Sequence, residues 1–170
     1  MANKYLAMIG GMLREVMATV TSTGAEDAGK IVGLNAQGRL DDSVMPSGIG
    51  ASTKIVSTSE ALASGDFINL WDDAGTLKVR KADASATGKQ ADGFVKSAYA
   101  SGANATIYTD GINDQCTGLS GGPVMYLSAS TPGTATATAP STGGGIVQRI
   151  GRRLSATEVA FDASDPIVLA

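Results

Sequence analysis

Apolar and polar residues alternate with period two along much of this chain, most clearly between Ser64 and Gly111. Phe67–Trp71 is apolar and aromatic, which suits a pleated, half-buried surface. Asp72-Asp73-Ala74-Gly75 follows with turn chemistry, since Asp bonds the backbone locally and Gly accepts positive φ. Thr76–Lys81 sets Leu77 and Val79 against Thr76, Lys78 and Arg80, the mark of a strand with one wet side. Asn104–Thr109 repeats the pattern, with Ala105 and Ile107 opposed by Thr106 and Tyr108. Gly88, Gly93 and Ser101-Gly102 punctuate the stretch, which reads as four short strands joined by tight turns.

The same grammar continues on both sides. Thr53–Ser57, Val124–Ser128, Glu158–Asp162 and Ile167–Leu169 read as strands, and Ile112–Cys116 as a short one. Ile146–Leu154 reads as one strand, with Ile146 and Ile150 facing away from Val147, Arg149 and Gly151. Ser130–Gly145 is a long hairpin or loop of small residues whose Thr-Ala alternation fits an exposed edge strand. Roughly ten short strands at this spacing predict an all-β fold over 51–170, a compact β-barrel or sandwich.

The first 50 residues differ. In 1–22, Tyr5, Met8, Ile9, Met12, Leu13, Val16 and Met17 recur at helical spacing. Gly10-Gly11 interrupts them and costs about 1 kcal/mol per Gly in a helix. Arg14–Ser22 also alternates like a strand, so an extended or mixed arm is expected. The arm either covers its own domain or docks on another subunit. Met1, Met8, Met12 and Met17 lie in it, out of six methionines in all, and flexible Met side chains suit adaptable contacts. Residues 23–50 read as a connector: Ile31–Leu34 as a short strand, Asn35-Ala36-Gln37-Gly38 as a turn, and Pro46-Ser47-Gly48 as a stop.

Composition narrows the function. The 170 residues are 43% hydrophobic, enough for a sizeable core, but only 5% aromatic, with 22 Gly, which favours short strands and turns. A net charge of −3 disfavours a nucleic-acid partner. No apolar run approaches the ~18 residues of a membrane span, so no membrane is expected. Tyr5–Leu13 after Lys4 has the outline of a signal peptide, but Gly10-Gly11 breaks it and Arg14-Glu15 follow, so none is expected. One cysteine forms no intrachain disulfide, and the absence of histidine removes imidazole metal sites and histidine-based triads.

Two catalytic spellings fail in context. Gly24–Lys30 fits G-x-x-x-x-G-K, but Ile31 stands where Ser or Thr would hold Mg²⁺, and Glu26 and Asp27 would repel phosphate. Gly118-Leu119-Ser120-Gly121-Gly122 fits G-x-S-x-G, but Pro123 and a strand follow and no histidine can act as base. Cys116 reads as a small hydrophobe in a strand. Asp110, Asn113 and Asp114 read as turn caps, because they lack the spacing of a calcium loop. No enzyme, cofactor or metal is expected. Arg149, Arg152 and Arg153 form a small basic cluster, either solvated or facing an acidic partner.

Glu26–Gly50 resembles the connector of many tailed-bacteriophage virion proteins, in which an AGK-IV-x-L-[ND]-A-x-G-[RK]-[LI]-D-x-S-x-[LM]-P pattern precedes a β-rich module. Here it is carried by Ala28-Gly29-Lys30-Ile31-Val32, Leu34-Asn35-Ala36, Gly38-Arg39-Leu40-Asp41, Ser43 and Met45-Pro46. The second half is similar to phage capsid cement proteins at Ala63-Ser64-Gly65-Asp66, Gly93-Phe94-Val95, Val124–Ser128, Pro132-Gly133, Val147–Gly151 and Ser155–Glu158. The resemblance implies a structural virion protein on the capsid exterior, made in the host bacterial cytoplasm and bridging major capsid subunits, with no active site. A tail- or head-fibre module that binds a host receptor or glycan is the alternative. The apolar arm predicts a homo-oligomer, a trimer by analogy with fibre and decoration proteins. The candidate interface residues are Tyr5, Leu6, Met8, Ile9, Met12, Leu13 and Val16 of the arm, with Arg149, Arg152 and Arg153 of the β domain.

Overall fold

The computed structural model describes residues 4–45 and 52–170. The chain divides into two compact units, Met1–Gly50 and Ala51–Ala170. Both are built from strands and turns, with no α-helix among the described residues. The fold class is all-β.

In the first unit, β1 (Lys4–Ile9) and β2 (Met12–Met17) form an antiparallel hairpin closed by Gly10-Gly11. Both glycines have positive φ, 61° and 79°, as a two-residue turn matched to strand twist requires. This corrects the helical spacing read in residues 5–17. The apolar residues there belong to two strands folded back on each other. The expected strand at Ile31–Leu34 is also absent, leaving one parallel bridge between Thr19 and Val32. Side chains hold the connector instead. Asn35 Oδ1 accepts from the Gln37 and Arg39 amides at 3.0 Å each, which builds the expected turn. The expected stop at Pro46-Ser47-Gly48 lies outside the described residues.

In the second unit five strands close on themselves in the order β3-β5-β4-β6-β7. They are β3 (Thr53–Thr58), β4 (Phe67–Asp73), β5 (Thr76–Lys81), β6 (Gly93–Val95) and β7 (Asn104–Tyr108). All pairs are antiparallel except β3 with β5. The turn between β4 and β5 is Ala74-Gly75, tighter than the four residues expected, with φ of 52° and 86°. Val56, Ile68, Val79, Val95, Ala105 and Ile107 fill the interior of this ring.

An open sheet of order β10-β9-β12-β13-β8 forms the rest, with β8 (Gly111–Asn113), β9 (Val124–Leu127), β10 (Ala135–Thr136), β12 (Arg149–Arg153) and β13 (Val159–Phe161). β11 (Ile146–Val147) pairs with β14 (Ile167–Val168). A second core joins sheet to ring: Phe67 and Phe94 of the ring meet Met125, Leu127, Ile150 and Val159 of the sheet. Neighbours Phe67/Ile68 and Phe94/Val95 send their side chains to opposite cores, so β4 and β6 are buried on both faces. Phe161 stacks on Phe67 at 5.9 Å and meets Phe94 edge-on at 5.7 Å.

The strand read over Ile146–Leu154 is two strands. Gln148 interrupts it, and its buried amide accepts from Ala91 N–H at 2.7 Å while donating to Ala91 O and Ser164 O. A bulge follows between Arg149 and Gly151. Gly151 is required there, because a Cβ would lie 2.0 Å from Ala160 O. Cys116 is also corrected: it lies in a loop after β8, not in a strand.

Candidate functional site

The hairpin register sorts the arm residues into two faces. Cross-strand partners share a face, so Lys4, Leu6, Met8, Leu13, Glu15 and Met17 lie on one, and Tyr5, Ala7, Ile9, Met12, Arg14 and Val16 on the other. On the second face Tyr5, Ala7 and Val16 are half-buried. The connector reaches this face, where the Ile31 amide donates to Tyr5 Oη at 3.4 Å. On the first face the apolar side chains are left open by the described residues of the unit: Leu6 is 65% exposed, Met8 69%, Leu13 63% and Met17 62%. The two charged residues described on it, Lys4 and Glu15, form an ion pair.

The seven predicted arm residues therefore do not form one surface. Leu6, Met8 and Leu13 share the open face, while Tyr5, Ile9, Met12 and Val16 share the other. Sequence reading did not place Met17 among the candidate interface residues. A period of two counted outward from Gly10-Gly11 places it opposite Lys4 on the open face.

The arginine cluster is also divided. Arg149 and Arg152 pair with Tyr126 and Val124 of β9 and share a face, while Arg153 pairs with Val159 on the other. Arg149 is bound to Asp162 at 2.8 Å. Arg153 donates to Gly121 O at 2.8 Å and to Leu119 O at 3.5 Å, tying down the Gly-rich turn. Arg152 is exposed.

The two catalytic spellings are held in local bonds. Lys30 donates to Asp27 Oδ1 at 2.7 Å, and Asp27 Oδ2 accepts from the Thr23 amide and hydroxyl. The Lys30 ammonium and the Thr23 donors hold the Asp27 carboxyl down at about 2. The acidic residue thus holds the lysine that a phosphate would need. Gly118–Gly122 is an irregular turn before β9. Cys116 is buried, and burial pushes its thiol up to about 12, away from the thiolate form that a nucleophile needs. Asp110 caps Ser52, Asn113 is buried and donates to Gly65 O at 2.9 Å, and Asp114 pairs with Lys96 at 3.3 Å. Among the described residues no cluster of three carboxylate or thiol groups could hold a metal ion.

The β domain does contain buried polar groups that sequence reading did not single out. Asp92 accepts from the Leu70 amide at 2.8 Å and from Asn69 Nδ2 at 3.0 Å. Asn69 in turn accepts from Arg80, which lies over the Trp71 ring at 4.8 Å. Asp66 accepts from the Ala63 amide and meets Lys81 at 3.2 Å. Burial raises both carboxyls above their ordinary value. Among the described residues no buried side-chain nitrogen or oxygen lacks a hydrogen-bond partner, and these groups brace the fold. Set against protein-family models, curated proteins and solved structures, the chain matches none of them.

Proposed function

We propose that this chain is a structural virion protein of the tailed-bacteriophage type. It decorates the capsid exterior as a homo-oligomer, a trimer by analogy, and stabilises the shell by bridging major capsid subunits. The observation that carries the reading is the contrast between a β domain whose described buried side-chain polar atoms all have partners and an N-terminal hairpin with the apolar Leu6, Met8, Leu13 and Met17 exposed. Contiguous exposed apolar surface marks a contact site, and a satisfied domain beside it supplies bulk rather than chemistry. The connector pattern at Glu26–Gly50 supports the same reading. Shell stabilisation would come from many modest contacts acting together.

The test uses the full chain and shells of a tailed phage prepared without it. Saturable co-sedimentation with the shells, with a higher rupture temperature, is the expected result. Failure to bind shells, together with binding to whole host cells or glycans, would replace this reading by the fibre alternative.

A further inference from the structure

From the hairpin register we infer that the Leu6, Met8, Leu13 and Met17 face is a self-association surface, and that its occupant is the same face of other copies of this chain, gathered about the symmetry axis. This deepens the homo-oligomer proposed above by naming the surface, and it does not depend on where the oligomer is deployed.

Three observations select a second copy. The first is coverage. The connector reaches the opposite face at Tyr5, and among the described residues of the unit none is left over the four apolar side chains. A two-stranded hairpin alone is marginal in water, so this face requires a cover from outside the unit.

The second is charge. The face carries one cation and one anion, Lys4 and Glu15, already paired with each other. It presents no net charge to a strongly acidic or basic partner, and a single lysine is no basic cluster for an anionic lipid surface. A copy of the same face is matched by construction: apolar against apolar, with neutral pairs at the rim.

The third is area. Four Leu or Met side chains of this exposure offer on the order of 400 Å² of apolar surface. Roughly two-thirds of a homomeric interface is apolar, so two such faces correspond to about 1,200 Å² in total, at the lower end of a specific interface. Association through this face alone is therefore concentration-dependent, and closed symmetry gives each copy the same contact.

Sedimentation velocity of the full chain from about 1 to 100 μM tests the assignment. The wild type is expected to move from the 17.1 kDa monomer to a closed oligomer. Leu6→Glu with Leu13→Glu is expected to remain monomeric throughout, with the near-ultraviolet dichroism of the β domain unchanged. Met8→Cys guards against misfolding of that variant. Under mild oxidant it should cross-link two chains far faster than Ser155→Cys, an exposed position on the β domain. A wild type that is monomeric at 100 μM, or equal cross-linking rates at the two positions, would overturn the inference. If that monomer still bound shells, the virion reading would stand and the face would belong to the shell. An oligomer that bound no shells would leave the inference standing and remove the virion reading.

Discussion

Two hairpins in this chain are closed in the same way and end in opposite environments. β1–β2 turns at Gly10-Gly11 and β4–β5 at Ala74-Gly75, each with two consecutive positive φ values and six paired positions beyond the turn. Ile68 and Val79 in β4–β5 are fully buried, because β6 and β3 pair with its edges and the ring closes over its inner face. In β1–β2, Leu6, Met8, Leu13 and Met17 point into water. Turn chemistry and register are local and appear in both. Burial comes from what the rest of the chain brings to the hairpin, and among the described residues only one of the two receives such a cover from its own unit. The uncovered one is where an outside partner has most to gain.

The sharpest way to break this comparison is to remove apolar bulk from each side of it. Phe94 is fully buried and stacks on Tyr108 at 5.4 Å. Phe94→Ala is expected to cost the β domain about 3–5 kcal/mol, lowering its Tm by roughly 10 °C or more. Leu13→Ala is expected to change the same transition by less than ~0.5 kcal/mol. Urea unfolding followed by Trp71 fluorescence reads both. Equal losses would mean that the hairpin is part of the domain core.

A smaller effect is expected at Gln148. Gln148→Leu keeps the bulk but leaves Ala91 N–H and C=O without their partner, for a loss of about 2–3 kcal/mol. Hydrogen exchange should locate the damage at Ala91 and at the junction of β11 and β12. Uniform softening of the domain, or no softening, would refute the brace.

The fold class was legible because Thr76–Lys81 and Asn104–Tyr108 alternate cleanly and each fills one face of a ring. Gln148 shows where legibility ended. Its neighbours Val147 and Arg149 continue a plausible strand, and the break comes from a partner 57 residues away that no local pattern reports. The arm was expected to be extended or mixed, and its hairpin was hidden for a different reason. Residues 5, 8, 9, 12 and 13 satisfy helical spacing by coincidence, and the decisive signal was Gly10-Gly11, a poor helix interior and a good hairpin turn. Exposure of the hairpin's open face was not legible at all, since the same apolar text in β4 is buried. The arginine cluster is close in sequence but split in space: strand alternation sets Arg152 against Arg153, and the bulge before Gly151 brings Arg149 to the Arg152 face.

The smallest effect separates the two regions by the sign of their response to acid. In the N-terminal unit, the Lys30 and Thr23 bonds lower the Asp27 carboxyl to about 2. A lowered carboxyl favours the folded state above its unfolded value of about 3.9, and this contribution is lost as pH falls through 2. In the β domain, burial raises Asp92 despite the bonds from Leu70 and Asn69. A raised carboxyl holds its proton more tightly when folded, so its contribution is full below about 3.9 and is lost as pH rises through the folded value. Asp66 shifts in the same direction, with Lys81 at 3.2 Å opposing the effect of burial. Carboxyl-carbon NMR titration of the full chain should therefore find Asp27 near 2 and Asp92 above the ordinary Asp value. In urea unfolding between pH 3 and 7, Asp92→Asn, which does not titrate, should gain on the wild type as pH rises. A variant that gains on the wild type as pH falls instead would show that the Leu70 and Asn69 bonds outweigh burial. The two regions would then respond to acid alike, and this part of the contrast between them would fail.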